Sequence, residues 1–293
     1  MVSVDPSAPA LDPAVAGRAH RAVEPLHNHV YFAPETEEHL TAVGLRPGRM
    51  CYFAGRAAPM GAVGPGVVTA TFYNFAPSLV ARHIPRAWGL VPPVQVVAAR
   101  LDAARASLTR LLGEAATGPE VTELAGLVRE ACGSLIPEGR PLYAGHADLP
   151  WPDDDLGSLW HGTTLLREWR GDGHIACLVR SGLSGLEALL THTLTGRGFT
   201  EQMARASRGW SDEEWAAAAA ALADRGLVDD SGLTTDGHEL RQQLEEETDL
   251  LDAVAWQHLD ADAVARVIEL GKGLSRRLVE AGAYGSAGFA GGQ

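Results

Sequence analysis

The chain predicts a mainly α-helical fold with one small β-hairpin near its C-terminal end, on three observations. Apolar residues recur at helical spacing through its longer segments, as at Leu101, Ala104, Leu108 and Leu111 or Leu112. From Val15 to about Trp88, short helical patterns alternate with connections rich in Gly and Pro. Strand-like alternation is confined to Leu227-Val-Asp-Asp-Ser-Gly-Leu-Thr234, two short runs around a Ser-Gly turn.

Residues 1–13 are rich in Pro and Ala and read as a disordered tail. Pro34 to Leu45 is a short helix with acids in its first turn, where the helix dipole favours them. Cys51 to Gly61 begins helical and then becomes loop-like, and Val67 to Phe75 is read as helix despite its β-branched content. Val94–Leu112 and Glu120–Leu135 are longer amphipathic helices. Leu142–Pro152 is expected to be a loop dividing a helical N-terminal half, 14–150, from a C-terminal half, 151–281. A helix then runs from Asp153 to about Trp169 and is expected to break at Arg170-Gly-Asp-Gly-His174. Asp260–Ala281 is a terminal helix suited to packing on the core or on a second copy of the chain, and 282–293 is a Gly- and Ala-rich tail.

Between them lies a winged helix–turn–helix pattern. Thr200 caps a short helix, Ser207-Arg-Gly-Trp210 turns, and Ser211 caps a second helix that ends at Gly226. The hairpin makes the wing, and another helix starts near Asp236. This order resembles the DNA-binding part of MarR-like regulators, including Arg225-Gly-Leu-Val, Leu233-Thr-Thr-Asp-Gly237 and Leu240-Arg241. The charge is wrong for that role. From Phe199 to Leu250 there are 4 Arg, no Lys and 13 Asp or Glu, a net of −9. The second helix, which would enter the major groove, opens Ser211-Asp-Glu-Glu and continues with alanines. Three carboxylates beside phosphates oppose binding, and alanine reads no base edge, so DNA is not the expected partner.

Composition sets wider limits. With 293 residues, 46% of them hydrophobic, the chain can bury one large core or two modest ones. A net charge of −13 argues against nonspecific attraction to nucleic acid or anionic membrane. Lys272 is the one lysine among 24 basic residues, a bias that suits a GC-rich genome. No leader pattern or membrane-spanning run is visible, and Cys51, Cys132 and Cys177 lack CxxC spacing. A reducing cytoplasm without a structural zinc site is the expectation.

Three segments carry candidate chemistry. In Leu159–His174, His161, Thr164 or Leu165 and Glu168 share a helical face, with Trp160 beside them and Arg167 and Arg170 adjacent. Gly171 and Gly173 bracket Asp172, so a tight turn is expected to bring Asp172 and His174 together. The carboxylate would then orient an imidazole base, with Glu168 as a further acid–base group. An ordinary C-cap and N-cap would leave the same residues there. In Glu24–Glu35, His27 and His29 could face one side of an extended segment as a metal pair or ligand contacts, but no second cluster completes a metal site. In Tyr52–Gly61 and Phe72–Phe75, aromatic and Met side chains with Arg56 and Tyr73 suit either a pocket for an acidic ligand or a plain core. Gly61–Gly66 has neither P-loop nor Rossmann spacing, so no nucleotide cofactor is expected, and the motifs identify no other.

Pro25-Leu-His, Val30-Tyr-Phe-Ala-Pro-Glu35, Tyr52–Gly61, Phe72–Pro77 and Leu165–His174 together resemble an actinobacterial helix–turn–helix family across most of residues 20–280. The resemblance implies a mostly helical protein with winged-helix elements and brings no activity with it. The expectation is a pocket between the halves for a small, anionic molecule. The roles left open are an acid–base enzyme of specialised metabolism, a ligand-responsive regulator, and a noncatalytic binding or assembly protein, with a homodimer through the C-terminal helix.

Overall fold

A computed structural model describes residues 11–285. The first eight helices are α1 (Pro13–Asn28), α2 (Pro34–Ala42), α3 (Arg49–Ala57), α4 (Pro65–Phe72), α5 (Pro77–Ala81), α6 (Pro93–Leu112), α7 (Pro119–Ala131) and α8 (Pro141–Ala147). All but α3 start on proline, whose preset φ suits the first helical position and whose missing N–H costs nothing there. From α9 (Asp155–Arg180) onward the start signal changes. Here α9, α10 (Gly185–Leu194), α11 (Glu201–Arg208), α12 (Asp212–Asp224), α13 (Thr235–Asp252) and α14 (Ala261–Glu280) begin with Asp, Ser or Thr side chains that accept from the first turn. Between α12 and α13, β1 (Val228–Asp229) and β2 (Gly232–Leu233) pair antiparallel, with Val228 opposite Leu233.

The fold is thus mainly helical, with the expected winged module at α11–α13. Thr200 accepts from Met203 N, and Ser211 and Glu214 form a reciprocal capping box, as their sequence positions foretell. Three cores hold the molecule. The largest joins α1, α6, α7, the first part of α9 and α14 around Trp256, Leu108, Leu124 and Leu159. A second, aromatic core forms among α2–α6 around Phe53, Phe72 and Phe75, and a third fills the winged module around Trp215, Leu189 and Leu244. The first core draws on both sides of residue 150, so the expected division there does not separate two cores.

Three expectations need correction. The loop at Leu142–Pro152 contains most of α8. The break at Arg170–His174 does not occur, because α9 runs unbroken for 26 residues, about 39 Å. Its glycines serve close packing: a Cβ on Gly173 would lie 2.8 Å from the Arg140 guanidinium, and one on Gly162 would overlap Val128. The tail assigned to residues 1–13 stops short of Asp12, which caps α1 by accepting from Ala14 N at 2.9 Å; residues 1–10 lie outside the described part. The apolar stripe of α14 takes the first of the two uses expected for it and packs on the core, against this chain's own α1. Val267, Leu274 and Leu278 are buried, and the Ser275 hydroxyl donates to the Ala22 carbonyl at 2.8 Å. Of the C-terminal tail, 282–285 are described, with the Tyr284 hydroxyl donating to Asn28 Oδ1, and 286–293 are not. Among the described residues no helix is long and apolar enough to cross a membrane.

Candidate functional site: two cavities that share Tyr52 and Arg56 in their walls

The long helix α9 passes from the first core into the third, so its middle turns lie where the three cores meet. Polar side chains gather there. Glu168 is 1% exposed and receives the Arg56 guanidinium through two hydrogen bonds, 3.2 Å from Nε and 2.9 Å from Nη2. Burial alone would raise the Glu168 carboxyl, but Arg56, with Arg167 and His27 beyond, holds it well below the usual carboxylate range. Glu168 is therefore an ionised partner and not a proton donor at neutral pH. Arg167 pairs in turn with Glu24 at 3.2 Å.

Arg56 and Tyr52, one turn apart on α3, line two cavities of about 300 Å³ each. The first lies within the N-terminal half, against Tyr31, Glu37, Cys51 and Arg100. The second lies between α3–α4, α9 and the winged module. Its polar wall carries Arg56, Arg167, Glu168, Asp172, His174, Arg208, Arg241 and Glu245, with Tyr73 and Phe75 on the aromatic side. Six of the nine residues singled out from the sequence thus share one cavity: Arg56, Tyr73, Arg167, Glu168, Asp172 and His174.

The remaining three line neither cavity. His27 is buried in a hydrogen-bond chain whose directions can be followed. Thr164 donates to the Trp160 carbonyl at 2.7 Å, so its oxygen accepts from His27 Nδ1 at 2.8 Å. His27 Nε2 then accepts from the Tyr31 hydroxyl at 3.1 Å, and that hydroxyl accepts from Arg100 at 3.2 Å. Trp160 stacks on His27 with ring centres 6.1 Å apart, and His161 meets Trp151 edge-on at 4.9 Å. The paired-histidine reading also changes. His27 ends a helix and His29 sits in the following 3₁₀ turn, not on an extended segment. His29 faces away, bonded to the Leu26 carbonyl at 3.1 Å and Ser107 at 2.8 Å. Among the described residues no group of three or more His, Cys, Asp or Glu is placed to hold a metal ion.

Asp172 and His174 do not form the expected acid–base couple. Two residues apart on an unbroken helix, they diverge by about 200°. Asp172 accepts from the backbone N–H groups of Leu142 and Tyr143 at 3.0 and 2.9 Å, and so caps α8 from another part of the chain. Burial pushes its carboxyl up to about 6, against the pull of those two bonds. His174 reaches the other way, to Thr248 on α13. Thr248 donates to the Leu244 carbonyl at 2.6 Å, so it accepts from His174 Nδ1 at 2.8 Å. Burial first, then Arg241 and Arg170, brings this imidazole down to about 3, which keeps it neutral.

The winged module supplies what the sequence reading missed, Arg208 and Arg241. Arg241 is 6% exposed; it reaches Glu245 at 3.3 Å and His192 Nδ1 at 3.4 Å while its Nε finds no partner. Arg208 lies over the Phe75 ring at 4.5 Å and donates to Ser207 at 2.7 Å. Its buried Nε has no partner, and no carboxylate lies within ion-pair distance among the described residues. Burial lowers its guanidinium, with Arg49 and Arg56 adding repulsion. The one sequence sign was its place just before the Gly209 turn, where a basic residue reads as ordinary dipole pairing at a helix end.

The outer face of the module is acidic. Asp212, Glu213 and Glu214 are exposed at the start of α12. Its other two arginines are engaged as well. Arg205 bridges Glu201 and Asp212 and lies 4.3 Å over Trp215, and Arg225 donates to the Ser181 and Gly182 carbonyls at 3.2 Å. A broader groove of about 570 Å³ beside the wing is rimmed by Glu201, Asp212, Asp229 and Asp230.

A helical body that carries a winged helix–turn–helix module before its last helix defines the class of this protein. The chain belongs to a helix-turn-helix family, whose model matches residues 16–285. No curated protein and no solved structure matches it.

Proposed function

We propose that the protein binds a small organic anion in the cavity between α9 and the winged module, with the module serving as a wall of the site. The observation that carries this reading is Arg208, a partly buried guanidinium on the cavity wall whose Nε is buried without a partner and which has no carboxylate within ion-pair distance among the described residues. A buried unpaired charge is costly, and a carboxylate or phosphate entering the cavity removes that cost with charge-assisted hydrogen bonds. Arg241 and Arg56 stand on the same wall. An acid–base enzyme has less support, because Asp172 and His174 serve separate helices and Glu168 is held ionised.

Thermal unfolding in phosphate and in a panel of carboxylates, against chloride of equal ionic strength, tests the reading. An anion at about a hundred times its Kd adds roughly 2.7 kcal/mol, a rise of roughly 5–10 °C for a chain of this size. Arg208→Met should abolish the rise. If no anion at about 10 mM raises the midpoint beyond chloride, the reading is wrong.

The helix–turn–helix architecture favours a second reading, a ligand-responsive DNA reader. It has little support from the charges, since each of the four arginines from Phe199 to Leu250 is turned inward or engaged. Polarisation of labelled duplex from the gene's own upstream region at low salt separates the two. Sequence-specific binding at micromolar protein would favour the regulator.

A further inference from the structure

Arg100, in the wall of the first cavity, is a guanidinium that nothing in the protein neutralises. It is 3% exposed, and its Nη1 has no hydrogen-bond partner. Its Nη2 donates to the Tyr31 hydroxyl at 3.2 Å, and the group lies 5.1 Å over the Trp160 ring and 5.7 Å over that of Tyr31. Ring faces attract a cation without cancelling its charge. No carboxylate is within ion-pair distance among the described residues. The neighbouring imidazoles of His27 and His146 are held neutral by burial and by Arg100 itself. Arginine is almost never buried without an anion beside it.

The other polar groups of this cavity are already engaged within the protein. The Tyr31 hydroxyl directs its proton to His27 Nε2 at 3.1 Å, and Thr36 donates to the Val30 carbonyl. Burial pushes the Cys51 thiol up to about 11, so it keeps its proton and donates to the Arg46 carbonyl at 3.1 Å. Arg56 is taken by Glu168, and Glu37, exposed at the rim, accepts from the Gly48 N–H at 2.6 Å. What remains of the wall is largely apolar, with Leu40 and the Tyr52 ring. From one unneutralised guanidinium in a wall whose other polar groups are satisfied, we infer that the first cavity is a second binding site, for a small monocarboxylate with an apolar body. The carboxylate supplies Arg100 with charge-assisted hydrogen bonds, and the body lies against Leu40 and Tyr52. A second charge or a hydroxyl on the body would find no free partner and would be desolvated at a cost. The cavity, of about 300 Å³, limits the length of the body. This site is separate from the one at Arg208 and does not rest on it.

Calorimetric titration of the full chain carrying Arg208→Met, which disables the other proposed site, tests this. The probes are straight-chain monocarboxylates from acetate to octanoate, the primary amide of each, and the dicarboxylates of matching length. One monocarboxylate should bind per chain, with affinity that rises with length and falls once the body outgrows the cavity. The best acid should bind at least about tenfold more tightly than its amide or its dicarboxylate counterpart. Arg100→Met should remove the preference for the acid. Cys51→Met keeps Arg100 and narrows the cavity, so it should move the optimum to a shorter chain, and it serves should Arg100→Met fail to fold. Phosphate, which has no apolar body, reports the Arg208 site alone, whereas a monocarboxylate of this class keeps part of its thermal shift in Arg208→Met. Equal affinity for acid and amide, an optimum unmoved by Cys51→Met, or no binding once Arg208 is replaced would overturn the second site. The last of these leaves the reading at Arg208 standing. A response to every anion that is the same with and without Arg208→Met would instead overturn that reading and leave this one.

Discussion

Replacing Glu168 by Gln should be among the most damaging single changes that leave side-chain volume nearly intact. The carboxylate is 1% exposed and takes two hydrogen bonds from Arg56, whose own side chain is 12% exposed. Gln keeps one acceptor and loses the charge, leaving a buried guanidinium without its acid. Breaking a buried pair from one side costs about 3–5 kcal/mol, because the survivor's desolvation is no longer compensated. For a chain of this size that is a fall of roughly 6–20 °C in the melting midpoint. Replacing both partners with apolar residues of similar volume, Glu168→Leu with Arg56→Met, removes the stranded charge and should recover most of the loss. Urea unfolding of the parent, both single variants and the double variant forms the required cycle. A cost below about 1 kcal/mol for Glu168→Gln, or a double variant as costly as the summed singles, would refute the argument that the pair is mutually dependent.

Two other outcomes follow from the same physics. The imidazoles of His29, His146, His161 and His174 are lowered chiefly by burial, to about 4, 3, 4 and 3. Below about pH 6.5 the unfolded chain therefore takes up protons that the folded one refuses, and stability falls with pH. Asp172 and Asp252, raised by burial to about 6 and 7, act in the opposite sense, since the folded chain holds their protons above the ordinary carboxylate range. His20 and His27, also lowered well below the ordinary value by burial, join the histidine side. Six imidazoles then stand against two carboxyls, a balance of four groups and up to about 5.4 kcal/mol per pH unit, so the urea midpoint should drop from pH 7 to pH 5. A flat or rising midpoint would contradict the neutral-histidine assignment. Gly185→Ala should also be costly, because a Cβ there would overlap the carbonyl oxygen of Tyr73, a non-glycine residue held at φ 58°. We expect a loss near the upper end of about 1–3 kcal/mol and weakened anion binding, since Tyr73 lines the cavity. Gly66→Ala, in a helix with nothing within 4 Å of the new Cβ, is the control and should be neutral or stabilising in urea unfolding.

Much of the helical plan is written locally. Proline starts, the Thr200 and Ser211 caps, the short wing and the α6 and α14 stripes all depend on neighbours a few residues away. Local rules failed where a distant partner overrode them. Gly171 and Gly173 read as a turn, yet α9 is enclosed by packing, and its neighbours occupy the space a side chain would need. Inside the expected loop, α8 is capped by Asp172 from 30 residues away.

The site was legible in part for the same reason. Residue types rich in charge and aromatic character marked Arg56, Tyr73, Arg167 and Glu168, and the fold brings these to one cavity. The pairings were not legible: Glu168 meets Arg56 across 112 residues, and His174 meets Thr248 across 74. The sequence by itself determined a helical chain with an acidic winged module that holds 4 Arg and no Lys against 13 Asp or Glu. Only the tertiary structure decided that Arg208 and Arg241 turn inward and that Arg100 is buried without an acid. Helix starts are local hydrogen-bonding problems, whereas the neutralisation of a buried charge depends on whatever the whole fold places beside it.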